Sequence, residues 1–398
     1  MSELAVTYTT SSVINSNATT PTSNSNVAKP LIRYSAASQR PIVGRVSDYS
    51  AAALRVQIVG QSLPVFIPRV QIGQSDPTLT IYAVWLSWAY NGTNYGGSPG
   101  IYWGAAYVIF TPDNSYATVA NAPLLAQDLS SEYYYVYSYG SVCQMFNTAW
   151  GVAMAQLQAA VAAASIAGYT FPRSPVLERV AGGFRLGIAN TSFSVNGTDA
   201  LANGLWQCGM NDAGFGLFQG FSATAGVGTP GVVILPTAKK PADVYRIFQM
   251  RATAIPPTAG PGPDYITTEF DCTDAWCPVV LIQVVSPTLP AIFENVFSPS
   301  VISSSAPQGG SYVSAGTANV IVSFGFSLSG GAADLAAKLT YTPSGPWKWV
   351  QLVGDAPLTD LTWAIQWIDA INGDAHPMAL QPGTTWAEVE VVYQRVAG

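Results

Sequence analysis

Charge is what this chain has least of. Of its 398 residues, 10% are Asp, Glu, Lys or Arg, against about 25% in ordinary soluble domains. Histidine occurs once, at position 376, and cysteine four times, at positions 143, 208, 272 and 277. From Val70 to Pro172 there is no Lys or Arg at all. These shortages exclude much chemistry. One histidine cannot supply the ligand sets that structural zinc takes in fours, even with the C-x4-C pair Cys272 and Cys277. The cysteines read as buried thiols, with a Cys272–Cys277 disulfide left open. His376 lies in Gly373-Asp374-Ala375-His376-Pro377, a turn-like stretch, and is expected in an exposed loop. No P-loop, G-x-S-x-G or H-E-x-x-H pattern occurs.

Long apolar runs are also missing. A membrane helix needs about 20 apolar residues. The best stretch, Ala149 to Ala167, is mostly Ala and carries Gln156, Gln158 and Ser165, so no span is expected. Residues 1–30 are a low-complexity Ser, Thr and Asn tract with no apolar centre, so no secretory signal is expected and the Asn-x-Ser/Thr sites at Asn17, Asn91, Asn190 and Asn196 read as chance.

What is present is apolar and aromatic: 49% hydrophobic residues, with 20 Tyr and 11 Trp, beside 36 Gly and 28 Pro. A chain with little charge and no membrane segment buries surface against other protein. Interface cores are depleted in charge and enriched in aromatics, so the composition points to a repeating assembly. Net charge is −6, which argues against a general nucleic-acid binder. Six basic residues nevertheless stand between Lys29 and Arg69 with one acid, Asp48, among them. They read either as solvated arginines on an extended arm or as an arm in which Lys29, Arg33, Arg40 and Arg45 neutralise packaged phosphate.

Periodicity gives an all-β chain. Leu54–Ile72, Thr78–Tyr90, Ile101–Thr111, Tyr133–Tyr139, Val232–Leu235, Val244–Arg251, Val279–Val285, Asn319–Leu328 and Trp386–Val396 read as strands. One helix stands out, with Phe146, Trp150, Met154, Leu157 and Val161 on one face, Ser141 as its cap and Gly168 as its end. Core packing is the plain reading of that face; a membrane-active amphipathic helix is the sharper one, set against an opposite face of Ala and Gln rather than Lys or Arg. Leu361, Ile365 and Ile368 put a second helix in Leu358–Ile371. About ten strands with long connections make an antiparallel β-sandwich.

Leu177–Gly209 is the most telling segment. Phe184, Leu186 and Ile188 alternate with Arg185, Gly187 and Ala189; Phe193 and Val195 continue the pattern; Asn196-Gly197 signals a turn, and Leu205-Trp206-Gln207-Cys208 follows. This reads as two strands joined by a turn. The Arg-Val start, the Gly-Phe-Arg-Leu strand, the Asn-Gly turn and the Gly-rich return resemble the middle of the single jelly-roll capsid proteins of nodaviruses, and of similar coats in small single-stranded DNA viruses of algae. The likeness runs densest over Pro172–Gly209 and more loosely through Pro278–Pro287 and Val389–Arg395.

That resemblance implies a viral jelly roll with helical and loop insertions. It implies a structural coat protein, not an enzyme, that self-assembles in many copies into a non-enveloped icosahedral capsid around the genome, in the virion. Residues 1–50 would be a flexible, mildly basic arm and 51–398 the shell domain, with a surface projection drawn from 287–318 and 330–385. The chain departs from the dense Arg/Lys arm of nodavirus-like coats, so its contact with nucleic acid is expected to be weak. Calcium at subunit contacts is familiar in small capsids, and Glu269, Asp271 and Asp274 fall within six residues; no other cofactor is expected. Nodaviral autocleavage at a C-terminal Asn-Ala bond does not carry over, since Asn-Ala occurs at Asn17-Ala18 and Asn121-Ala122. The alternative reading is a carbohydrate-binding β-sandwich or a fibre or adhesin subunit; a glycosidase using the same carboxylates is a third.

Overall fold

The structure is a computed structural model. It describes residues 7–16, 33–59, 63–71, 74–90, 92, 95–112, 132–169, 171, 173–181, 183–188, 205–219, 221, 232–234, 244–247, 264–267, 276–286, 289, 301–302, 312–313, 319–325, 339–343, 347, 349–370, 373–378, 380 and 385–396.

In chain order the elements begin with β1 (Thr7–Ser16), β2 (Arg33–Ala37), β3 (Val43–Arg45), β4 (Tyr49–Val59), β5 (Leu79–Tyr90), β6 (Gly100–Ile109) and α1 (Tyr139–Ala163). Then come β7 (Val176–Val180), β8 (Gly183–Ile188), β9 (Leu205–Asn211), α2 (Asp212–Leu217), β10 (Val232–Ile234), β11 (Val244–Ile247), β12 (Asp264–Thr267) and β13 (Val279–Ser286). The last group is β14 (Val301–Ile302), β15 (Tyr312–Val313), β16 (Asn319–Gly325), β17 (Leu339–Tyr341), β18 (Val350–Gln351), β19 (Pro357–Leu358), β20 (Asp360–Asp369), β21 (Ala375–Pro377) and β22 (Thr385–Arg395).

Three larger sheets carry the fold. Their orders are β1-β22-β4-β17 with β18 on β4, β10-β11-β9-β5-β6, and β16-β13-β20-β2 with β21 on β20. A small sheet, β12-β8-β7, stands apart from these. Strand pairs among the described residues are antiparallel, and one continuous core runs from Val43 to Tyr393. This is the expected antiparallel β-sandwich with a helical insertion.

The central strands show why. In β5, Tyr82, Val84, Leu86, Trp88 and Tyr90 point into the main core, while Ala83 and Trp85 fill the opposite side. Burial on both faces explains its nearly unbroken apolar run. In β22, Ala387, Val389, Val391 and Tyr393 are buried, and the even positions Trp386, Glu388 and Glu390 are half-buried. A bulge opposite Glu390 and Val391 shifts the register with β4.

α1 lies antiparallel along β6. At one end the Ala167 amide donates to the Tyr95 carbonyl at 3.2 Å; at the other, the Thr111 amide donates to Met145 Sδ at 3.3 Å. Midway the helix seats on Gly104, where a Cβ would collide with the Ala153 carbonyl oxygen and the Leu157 amide. The expected apolar face is the buried one, with Phe146, Trp150, Met154, Leu157 and Val161 inside. Its cap differs from expectation: Ser138 Oγ accepts from the Ser141 amide at 3.1 Å, so Ser141 is the capped residue. The helix also ends at Ala163, before Gly168, and Ser165 takes a left-handed φ of 58°.

Four other expectations are corrected. Leu358–Ile371 is not helical: β20 occupies Asp360–Asp369 between β13 and β2. Both its faces are buried, so apolar residues recur at every spacing, and Thr362, Trp363, Ile365 and Trp367 favour extended backbone. Tyr133–Tyr139 is not a strand but a 3-10 turn at Glu132–Tyr134, a single bridge from Val136 to Phe66, and then the start of α1. Its rings turn into the core, and the Tyr134 hydroxyl donates to the Pro77 carbonyl at 3.0 Å. The two runs in Leu177–Gly209 do not pair with each other. β8 pairs β7 and β12, whereas β9 pairs β5 and β11 in another sheet; Asn196-Gly197 lies outside the described residues. Finally, residues 1–50 are not an arm throughout. β1 pairs β22, β2 pairs β20 and β3 pairs β19, as β-branched and aromatic residues such as Tyr8, Val13, Ile14 and Tyr34 favour. Of the expected projection, β20 and β21 belong to a sheet, and most of 287–318 lies outside the described residues.

Candidate assembly surface

The residues singled out from sequence do not form one site. Lys29 lies outside the described residues. Arg33 begins β2, opposite Ala364 of β20. Arg40 is exposed. Arg45 is exposed on β3 and held by Asp355, with Nε 2.8 Å and Nη2 2.6 Å from Oδ1. That hydrogen bond and charge raise the Arg45 pKa, and they also neutralise the cation locally. Glu269, Asp271 and Asp274 lie outside the described residues, as does Cys272.

Two cysteines are buried thiols. Burial pushes Cys143 up to about 12 and also raises Cys208, so both stay protonated at neutral pH, inert as nucleophiles.

His376 is the sharpest correction. It is 4% exposed rather than in an open loop, because β21 folds back on β20 and places it opposite Trp367. Its Nε2 lies 2.9 Å from Asp369 Oδ2, and the Tyr135 hydroxyl lies 3.3 Å from Nδ1. The ring stacks on Trp367 at 4.5 Å between centroids. Asp369 Oδ2 also accepts from the Asp374 amide at 3.0 Å. This group ties the β20–β21 turn to the segment that leads into α1. No sequence pattern announced it, since an isolated Asp-x6-His spacing has no periodic meaning.

Arg179 and Arg185 in the telling segment are structural. The Arg179 guanidinium donates to the carbonyls of Val180 and Gly183 and lies 5.3 Å and 5.1 Å from the ring centres of Tyr139 and Phe184. It therefore closes the β7–β8 turn against the start of α1. Arg185 reaches across to Glu178, with Nη2 2.6 Å and Nε 3.2 Å from Oε2.

The outward faces differ in chemistry. On the β4–β22 face, Arg55 stands between Glu388 at 3.3 Å and Glu390 at 3.5 Å. On β6, Ile101 and Ile109 are 59% and 43% exposed. Trp103, Ala105 and Tyr107 between them are half-buried over Ala83 and Trp85. Val152 on α1 is 47% exposed. Neither β6 nor α1 carries a charged residue. No helix among the described residues is long and apolar enough to cross a membrane.

Comparison with known proteins follows this chemistry. The family model of the Sputnik minor capsid protein V18/19 matches residues 8–395. The uncharacterized protein V18 of Sputnik virophage is 32% identical over 132 residues, which is 31% of this chain and 71% of that protein. Among solved structures, a chain of the Sputnik virophage, solved at 3.5 Å by cryo-EM, aligns over 98% of both chains with a TM-score of 0.66 and 19% identity. The mavirus penton protein, crystallised with selenomethionine, aligns over 98% of this chain and 100% of its own, with a TM-score of 0.58 and 14% identity.

Proposed function

The chain belongs to the Sputnik minor capsid protein V18/19 family, and from that membership we propose that it is a vertex protein, five copies of which form a ring. It is a structural component of an icosahedral virion capsid rather than an enzyme. Membership decides against the carbohydrate-binding and adhesin readings. The observation that supports the ring is the alignment with the mavirus penton protein along that chain's whole length. The earlier expectation of a shell made from this chain throughout narrows accordingly to one capsid component.

The charge-free faces support the ring, because subunits that bury such surface pay no charge desolvation. Closed rings need a heterologous contact, one patch meeting a different one. Two finer readings belong to this proposal. Lys29, Arg33, Arg40 and Arg45, of which Arg40 and Arg45 are exposed, would give a weak contact with packaged nucleic acid. Glu269, Asp271 and Asp274 would take Ca²⁺ where subunits meet. A nodavirus-like kinship is finer still, and what supports it is the strand pattern of β7 and β8.

The test is expression of the full chain followed by native mass spectrometry and negative-stain imaging, with and without Ca²⁺. Five-membered rings are expected. A strictly monomeric chain at all concentrations, under both conditions, overturns the proposal.

A further inference from the structure

We propose that the exposed pair Trp347 and Trp349, with the open cleft beside Asp355 and Asp360, binds a neutral oligosaccharide. Sugar binding is here an added property of a coat subunit, and it stands whether or not five copies close a ring.

Register places the rings. β18 runs along β4, with Val350 opposite Ala51 and Gln351 opposite Ser50. The Leu352 amide continues the ladder by donating to the Tyr49 carbonyl at 3.0 Å. Val350 and Leu352 are buried, so Trp349, Gln351 and Val353 point outward together. Trp347 joins this row, its ring centre 5.6 Å from that of Trp349 and the two planes at 66°. The rings are 38% and 36% exposed, whereas seven other tryptophans are at most 4% exposed. On the far side of β4, Gln394 of β22 also stands opposite Ser50. Exposed Val396, two residues on, therefore shares the outward face, its amide donating to the Asp48 carbonyl at 2.7 Å.

The row ends in a cleft. The chain turns after Val353, where the Ser47 amide donates to the Gly354 carbonyl at 2.9 Å. The turn encloses about 460 Å³, with Val353, Asp355, Thr359 and Asp360 among its walls. Small-molecule sites take about 300–1,000 Å³.

Size argues against a subunit contact. The row from Trp347 to Val353 extends about 20 Å, and three strands measure about 14 Å across, which gives about 300 Å². A standard protein interface takes about 800 Å² from each partner. The patch is too small for a second subunit and suits a short, linear ligand.

Chemistry names the ligand. A pyranose ring has an apolar C–H face and a rim of hydroxyls. An exposed indole takes the C–H face, and Trp serves where one side of a contact is apolar and the other wet. The hydroxyls need donors and acceptors in reach. Gln351 offers both, Thr359 a hydroxyl, and Asp355 and Asp360 strong acceptors. Arg45 Nη2 holds Asp355 at 2.6 Å, so this pair presents a donor beside an acceptor, as two adjacent sugar hydroxyls require. Two carboxylates against one cation among the described residues disfavour an anionic sugar. An apolar peptide would leave those carboxylates covered and unpaired.

The experiment screens the full-length chain on a printed array of neutral and anionic oligosaccharides. Saturation-transfer NMR and calorimetry follow, with tetrasaccharides of glucose, mannose and N-acetylglucosamine. Binding to a neutral glycan is expected. Trp347→Ala and Trp349→Ala are expected to weaken it more than about tenfold with the melting temperature unchanged, since both rings are exposed. Trp349→Leu keeps apolar bulk without the indole face and should weaken it equally. If an alanine variant fails to fold, Trp349→Leu and Asp360→Asn are read by the same criterion. No neutral glycan bound at millimolar concentration overturns the proposal, as does binding confined to anionic glycans. Full binding in Trp349→Leu also overturns it, because the contact is then merely apolar. Variants that fold but lose self-association assign the patch to a subunit contact, and overturn the sugar site.

Discussion

Asn211 offers the most direct test of how the sheets are joined. It ends β9, caps α2 and reaches across to β5, and it is 6% exposed. Its Oδ1 accepts from the Ala83 amide at 2.9 Å and from the Gly214 amide at 2.9 Å, while Nδ2 donates to the Ile81 carbonyl at 2.8 Å. In Asn211→Ala the amide of Ala83, a fully buried residue, is orphaned, which costs about 1–3 kcal/mol. Loss of the helix cap adds about 0.5–2 kcal/mol. The expected total is about 2–5 kcal/mol, since the Ile81 carbonyl adds little when it retains a sheet partner. Asn211→Asp separates the contributions. It keeps the acceptor for both amides but sets a carboxylate oxygen against the Ile81 carbonyl, and it should also be destabilising. The assay is denaturant unfolding followed by tryptophan fluorescence, which Trp85, Trp88 and Trp206 report from this sheet. A loss below about 1 kcal/mol in Asn211→Ala would refute the accounting, because one orphaned buried amide alone costs that much.

Gly104→Val should cost about 3 kcal/mol or more, because a Cβ cannot fit beneath Ala153 and the helix must lift; the melting temperature reads this, and an unchanged value shows that α1 does not rest there. Asp355→Asn should leave the unfolding midpoint where it is, since its pair with Arg45 is exposed; a clear shift would show that this pair does hold β3. The thiols give a pH dependence. Burial raises both Cys143, to about 12, and Cys208, so the folded state holds their protons more tightly than the unfolded state, whose thiols titrate near 8.5. The corresponding stability is whole below about pH 8.5 and is lost as pH rises towards about 12. The Cys143→Ala/Cys208→Ala variant should flatten that alkaline decline, and an unchanged slope would count against the assignment.

The legible part of the fold was the part with a strong local signal. β5, β6, β13 and β22 stand where runs of β-branched and aromatic residues placed them, and α1 buries the face its spacing marked. What sequence hid was context. Leu361, Ile365 and Ile368 share helical spacing, yet β20 is buried on both sides and its apolar positions fall at every interval. The aromatic run at Tyr133–Tyr139 has strand composition, but its rings pack inward from a turn. Asn196-Gly197 signalled a hairpin, while β8 and β9 found partners in different sheets, a long-range choice that no local signal encodes. His376 was hidden for the same reason: its partners Asp369 and Tyr135 meet it through the β20–β21 turn and through a segment 241 residues away.

Composition carried the function further than any motif did. A chain that is 10% charged must either place its few charges evenly or leave whole faces without them. Among the described residues the structure does the second. Arg55, Glu388 and Glu390 gather on the β4–β22 face, and Arg45 and Asp355 neutralise one another beside β3. β6 and α1 have none. A face can dispense with charge at little cost to solubility only where another surface covers it for most of the molecule's life. In an assembled capsid component neighbours supply such cover, so the charge poverty that argued against catalysis from sequence is compatible with a subunit that works only when joined.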